Sequence, residues 1–170
     1  MREHDWRPAR TPEGTVVEKP RLVARAREGR GCTLISGDLD AALTALAPGA
    51  PLLGLYALAP EGPHALRIAR DRALLVTPAP LVAPDGWQGD GQFGWCATSV
   101  DDGWAILDVE GPDAPLALMQ GTSADLSARS PSAAVRFMDV VCLLARTQAG
   151  FRLHVERTRL EALLGWLDGA

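Results

Sequence analysis

Two stretches in the C-terminal part of the chain have side chains that alternate between two distinct faces. In 104–110 one side carries Ala105, Leu107 and Val109, and the other carries Trp104, Ile106 and Asp108. In 151–156 Phe151, Leu153 and Val155 alternate with Arg152, His154 and Glu156. A period of two residues predicts β-strands. We expect the second strand to turn its polar side, with His154, to solvent or to a partner.

Shorter apolar runs predict further strands. These runs are Thr33–Ser36, 52–58, 65–69, 73–77, 94–100 and Val140–Ala145. The last of them is continuously apolar, which is typical of a strand covered on both faces.

Helical spacing of apolar residues predicts three helices, at about 38–47, 112–120 and 158–167. Asp38 is the expected N-cap of the first helix. Gly111-Pro112-Asp113 is a typical start for the second. Thr158 and Glu161 have the spacing of a capping box for the third.

The order of these elements predicts an α+β protein with one domain at 21–170, divided into subdomains at roughly 21–92 and 93–170. Residues 1–20 are polar and contain three prolines, so we interpret them as an extended or disordered N-terminal arm. Residues 78–92 are rich in proline and glycine and predict a loop.

Composition narrows the possible classes of protein. The chain has 170 residues, 47% of them hydrophobic, and a net charge of −4, which predicts a globular domain rather than a disordered chain. Residues 1–30 hold eight basic and five acidic side chains, without the aromatic-rich basic stripe of a nucleic-acid surface. The three cysteines are far apart and predict buried thiols in a reducing compartment. No apolar signal core or membrane-length stretch is present, so we expect a cytoplasmic protein.

Residues with catalytic potential are present but form no recognisable catalytic or metal-binding motif. Gly89–Gly94 fits the letters G-x-G-x-x-G, but a strand follows where a dinucleotide site needs a helix. His4, His64 and His154 lack ligand spacing, and we expect the carboxylates at 101–102 and 108–110 to be exposed. We therefore assign no catalytic, cofactor-binding or metal-binding residue.

Aromatic residues beside the 78–92 loop are the candidates for contact with a partner. Trp87, Phe93 and Trp95 lie close together in sequence, and aromatic side chains often anchor interfaces. They could equally fold back onto the core of this domain. With His154, they form the candidate interface.

The segment 102–167 resembles the gamma subunit of heterotetrameric sarcosine oxidase, a family related to the folate-binding aminomethyltransferases. The resemblance rests on Asp102–Leu107, Glu110–Ala114, Ala124–Ser127, and 151–155 followed by Arg157 and the last helix. It implies two interleaved antiparallel sheet-plus-helix subdomains, like the folate-binding domain of an aminomethyltransferase. It also implies a non-catalytic accessory subunit that packs on the large subunit of an amine-oxidising flavoenzyme.

In such a complex, flavin, NAD and tetrahydrofolate would belong to the partner subunits. Two alternatives remain open. One is a folate-binding, aminomethyltransferase-like protein, and the other is a free-standing homo-oligomeric interaction domain.

Overall fold

The computed structural model describes residues 14–90 and 93–169, which form twelve strands and three helices. The strands are β1 (Gly14–Lys19), β2 (Leu22–Arg27), β3 (Gly31–Gly37), β4 (Leu52–Leu53), β5 (His64–Ala69), β6 (Arg72–Thr77), β7 (Gln88–Asp90), β8 (Phe93–Ser99), β9 (Trp104–Glu110), β10 (Ala134–Phe137), β11 (Val140–Arg146) and β12 (Gly150–Glu156). The helices are α1 (Leu39–Leu46), α2 (Ala114–Gly121) and α3 (Leu160–Gly169).

The described strands form two six-stranded sheets. The first sheet has the order β1-β2-β9-β12-β11-β10, and the second has the order β4-β5-β6-β3-β8-β7. Neighbouring strands are antiparallel except for the two-residue β4, which is parallel to β5. The predicted α+β class with two interleaved sheets is confirmed.

The predicted subdomain boundary is wrong, because the chain changes sheets at two other places. Strand β2 pairs with β9 in the first sheet, so the chain crosses into the second sheet between residues 27 and 31. Strand β8 still belongs to the second sheet, so the return crossing lies between residues 99 and 104. Neither crossing falls at 92–93.

The predicted N-terminal arm also needs correction. Gly14–Lys19 is an edge strand that pairs with β2, and Val17 is buried in the core of the first sheet. The rest of the predicted arm, residues 1–13, lies outside the described residues.

The two sheets pack face to face, and helices cover their outer faces. Leu107 and Leu153 of the first sheet share an apolar cluster with residues of α2 and α3. Leu75 of the second sheet shares another with α1. A third cluster joins the inner faces, with Ile106 from the first sheet and Leu74 from the second. Alternate residues of a strand therefore face either helices or the other sheet, and both sides are buried.

Of the three predicted helix starts, one is confirmed and two differ in the structure. The Asp38 carboxylate accepts a hydrogen bond from the Ala41 N–H at 3.0 Å, so the cap of α1 is confirmed. Helix α2 begins at Ala114, and the Asp113 carboxylate binds the Arg21 guanidinium instead of capping the helix. Thr158 lies inside a 3₁₀ turn at 157–159 that precedes α3.

The G-x-G-x-x-G letters belong to a pair of strands. Gln88–Asp90 forms β7 and pairs with the start of β8, where Asp90 lies opposite Phe93. A strand follows the glycines, as the sequence predicts, so no helix N-terminus is available for a pyrophosphate.

Candidate functional site

A polar cluster lies between the inner faces of the two sheets. Arg152 of β12 and Asp108 of β9 are directly opposite each other in the first sheet. Arg152 Nε donates to Asp108 Oδ1 at 2.7 Å and Nη2 to Oδ2 at 3.2 Å, a two-pronged pair. The Arg152 side chain is only 2% exposed. The pair is therefore held in register by two neighbouring strands and is shielded from water.

Three further side chains join this pair to the connection between the sheets. Glu61 accepts from Arg152 Nη2 at 3.1 Å, from Arg27 Nη1 at 2.9 Å and from Arg30 Nη2 at 3.2 Å. Arg27 Nε also donates to Asp108 Oδ2. Three guanidinium groups thus share two carboxylates, and the cluster carries one excess positive charge. We call these five residues the ionic cluster.

Pairing favours the charged forms of Arg152 and Glu61 in the ionic cluster. Burial works against the charge of Arg152, but bonds to Asp108 and Glu61 outweigh it and raise the pKa of this guanidinium. Partial burial likewise opposes ionisation of Glu61, yet Arg152 and Arg27 together lower the pKa of its carboxyl group. The cluster therefore links the first sheet, through charged groups, to the segments around Arg30 and Glu61 that lead into the second sheet.

Two histidines lie beside the ionic cluster in the same inter-sheet layer. The rings of His64 on β5 and His154 on β12 are 6.3 Å apart, edge to face, and both residues are fully buried. His64 Nδ1 lies 2.8 Å from the Gly62 carbonyl and His154 Nδ1 lies 3.4 Å from the Leu143 carbonyl. Neither Nε2 atom has a hydrogen-bond partner among the described residues.

Burial keeps both imidazoles neutral. It lowers the pKa of His154 to about 3, with a further contribution from His64, and it lowers the pKa of His64 as well. A base near neutrality needs a pKa close to the working pH and access to substrate. These histidines are instead neutral residues packed in the interior.

An open cleft of about 640 Å³ adjoins the ionic cluster. Its walls come from the connection between β2 and β3, the turn at 101–103, the start of β9 and the turn at 157–159. Arg27, Arg30, Arg157, Trp104 and Cys32 are among its lining residues. Burial, followed by the charge of Asp101, raises the pKa of the Cys32 thiol to about 12. Cys32 is therefore a protonated part of the wall, since reactivity requires the thiolate.

The structure separates the four residues of the predicted interface. Phe93 is 78% exposed and Trp87 is 48% exposed, at the β7 edge of the second sheet. Trp95 is buried with α1, and His154 is buried between the sheets. Trp95 and His154 thus cannot be surface contacts of this chain, and the prediction for them needs correction. Trp87 and Phe93 remain predicted partner contacts.

The expectation that β12 has a wet face is also wrong, as is the expected exposure of Asp108. Arg152, His154 and Asp108 point toward the second sheet, which covers them. The sequence contained part of the evidence for this buried pair, because Asp108 and Arg152 both alternate with apolar residues and have opposite charges. Glu61 and Arg157 gave no comparable signal, since neither lies in a periodic stretch.

Within 14–90 and 93–169, no group of three or more His, Cys, Asp or Glu side chains is placed to hold a metal ion. None of the helices in those ranges is long and apolar enough to cross a membrane.

The fold and the ionic cluster define an α+β protein of two packed sheets, with a buried Arg152–Asp108 pair in the first sheet that also bonds to Glu61 in the segment before β5. No family model matches the sequence, and no curated protein matches it either. Among solved structures, the chain is similar to a chain of heterotetrameric sarcosine oxidase from Corynebacterium sp. U-96, solved in complex with pyrrole 2-carboxylate. The TM-score is 0.67 at 20% identity, covering 90% of this chain and 85% of the other. At the level of the fold, the resemblance inferred from the sequence is confirmed.

Proposed function

We propose that this chain is a non-catalytic, gamma-type subunit of a heterotetrameric, sarcosine-oxidase-like flavoenzyme, and that it packs on the large subunit. The observation that carries the proposal is the extent of the structural match. It spans nearly the whole of both chains, so the likeness is to an entire subunit of similar size and not to a module within a larger enzyme.

The chemistry of the candidate site favours a structural role over a catalytic one. The charged groups between the sheets pair with one another, and the neighbouring histidines are neutral and fully buried. An arrangement of this kind holds two layers together; substrate turnover would need accessible groups with pKa values near the working pH. Flavin, NAD and tetrahydrofolate would then be bound by the partner subunits.

Exposed apolar side chains support packing against a partner. Phe93 and Trp87 lie at the β7 edge of the second sheet, where aromatic anchors are available to another chain. The three cysteines are free thiols, which is consistent with assembly in the reducing cytoplasm.

The test is purification of the affinity-tagged chain from its native host. We expect a complex with the visible absorbance of bound flavin and with sarcosine-oxidising activity. The tagged chain produced alone should lack both properties. Sarcosine oxidation by the isolated chain, or its purification from the host without any flavoprotein, would contradict the proposal.

A pair of variants separates the subunit assignment from the predicted contacts. Phe93→Ser should reduce the recovered flavoprotein, whereas Val141→Ser, which alters an exposed apolar residue on β11, should not. Equal recovery with both variants would remove Phe93 from the interface and leave the subunit assignment intact. A saturating thermal shift with tetrahydrofolate would instead favour a folate-binding protein.

A further inference from the structure

We propose that the cleft beside the ionic cluster binds a small monocarboxylate with a planar apolar body, and that Arg157 is the main ligand of its carboxylate. The proposal is independent of the subunit assignment. The volume of the cleft, about 640 Å³, falls within the range of small-molecule sites, which often lie between packed layers or domains.

Arg157 provides the first argument, because one of its donors has no acceptor among the described residues. This donor is the Nε atom, which is buried. A buried donor without an acceptor is unfavourable and rare in native proteins. An acceptor delivered by a ligand in the cleft would satisfy it.

The acidic residues of the cleft do not fill this role. Asp101 Oδ1 accepts from the Cys32 N–H at 2.5 Å, and Asp101 Oδ2 accepts from the Ser99 hydroxyl at 2.8 Å. Asp102 and Glu28 are exposed residues of the lining. These carboxylates give the cleft negative charges that oppose a multiply charged anion. We therefore expect a monoanion to bind better than phosphate.

The arginines of the ionic cluster strengthen the positive side of the cleft. Arg27 and Arg30 line it, and together with Arg152 they share only the carboxylates of Asp108 and Glu61. Arg27 and Arg30 of that cluster therefore share the lining of the cleft with Arg157. A carboxylate matches the planar fork of a guanidinium, which makes arginine a better ligand for it than a point charge would be.

The apolar residues of the cleft wall indicate what the uncharged part of the ligand is like. Trp104 and Ile106 lie on the cleft side of β9, and the Cys32 thiol is protonated and unreactive. A planar ring can stack on the indole of Trp104 while its carboxylate reaches the arginines. The structure therefore fits reversible binding without covalent chemistry.

Benzoate is a suitable probe, and benzamide is its uncharged counterpart of the same shape. In ¹H–¹⁵N NMR titrations of the full chain, benzoate should shift the Cys32 and Trp104 amide signals and the Trp104 indole signal in a saturable manner. Benzamide should bind at least about 10-fold more weakly, since it lacks the charge-assisted bonds. Phosphate should also bind more weakly than benzoate.

Arg157→Gln should weaken benzoate binding about 10-fold. The matched control is Arg159→Gln, an exposed residue of the same turn that does not line this cleft. It should bind benzoate like the unchanged chain. Arg157→Lys keeps the charge without the fork, should show an intermediate loss, and serves as the test if the glutamine variant does not fold.

The proposal would be overturned by equal affinity for benzoate and benzamide, by unchanged benzoate affinity in the Arg157 variants, or by shifts that increase linearly without saturation. Tighter binding of phosphate than of benzoate would also contradict the proposed class of ligand.

Discussion

Acid should destabilise this protein well above the pH range in which carboxylates titrate, because His154 is buried in its neutral form. Its pKa in the folded chain is about 3, whereas an unfolded histidine has a pKa of about 6.5. Below pH 6.5 the unfolded chain binds a proton that the folded chain excludes. The contribution of His154 to stability is complete above pH 6.5 and is lost progressively as the pH falls toward about 3.

The magnitude follows from the separation of the two pKa values. Each pH unit below 6.5 removes about 1.4 kcal/mol for one such histidine, so the loss between pH 7.5 and pH 5.0 is about 2 kcal/mol. His64, whose pKa is also lowered by burial, acts in the same direction. A domain is typically stable by about 5–15 kcal/mol, so the effect is large enough to measure.

The perturbation is His154→Phe, which keeps a flat ring and removes the titration. It also removes only one long hydrogen bond, from His154 Nδ1 to the Leu143 carbonyl at 3.4 Å, since Nε2 has no partner in the described chain. Urea unfolding at constant ionic strength, measured by circular dichroism from pH 7.5 to 5.0, gives the free energy of unfolding at each pH.

The variant should lose about 2 kcal/mol less than the unchanged chain over this range. His64→Phe should reduce the pH dependence in the same direction. Parallel curves for the unchanged chain and the His154 variant would refute the reasoning. They would mean that His154 is accessible to protons in the folded state.

Two matched pairs of substitutions test other parts of the fold by urea unfolding. Asp108→Asn should destabilise the protein by about 3 kcal/mol because it removes the buried carboxylate charge of the two-pronged pair and leaves Arg152 only its bond to the more exposed Glu61, and a loss as small as that of the control would contradict this role. Asp113→Asn, the same change in an exposed ion pair, should leave the urea midpoint almost unchanged. Gly121→Ala should cost about 1–3 kcal/mol because its new methyl group would collide with the Phe137 ring. Gly165→Ala, in an open position of α3, should be neutral or stabilising by up to about 1 kcal/mol, and equal losses at both glycines would refute the packing argument.

Local patterns in the sequence predicted most of the strands and helices, because the spacing of apolar residues follows the face of each element that packs against the core. The alternation in 104–110 and 151–156 predicted β9 and β12, and the spacing in 38–47 together with Asp38 predicted α1. Strand β1 was missed. Its apolar residues are few, and pairing with β2 at the edge of the first sheet stabilises it.

The environment of a polar face could not be predicted from one strand alone. The face of β12 that carries Arg152 and His154 has the sequence pattern of a solvent-exposed surface. It is buried only because the second sheet packs against it. The compensating charge on Asp108 is 44 residues away in sequence, and Glu61 is 91 residues away. These residues come together through the order of the strands. That order depends on pairing between distant segments, which produces no periodic pattern within any one segment.

The ionic cluster also bears on how the two sheets are aligned. Apolar residues of similar volume could give comparable stability, so stability alone does not account for buried charges at this position. The pairing of Arg152 with Asp108 depends on register, because a slip of one residue would turn either side chain to the opposite face of the first sheet. Arg27 and Arg30 lie at the crossing from the first sheet to the second, and Glu61 connects both of them to Arg152. The same set of bonds therefore links strand register to the crossing between the sheets.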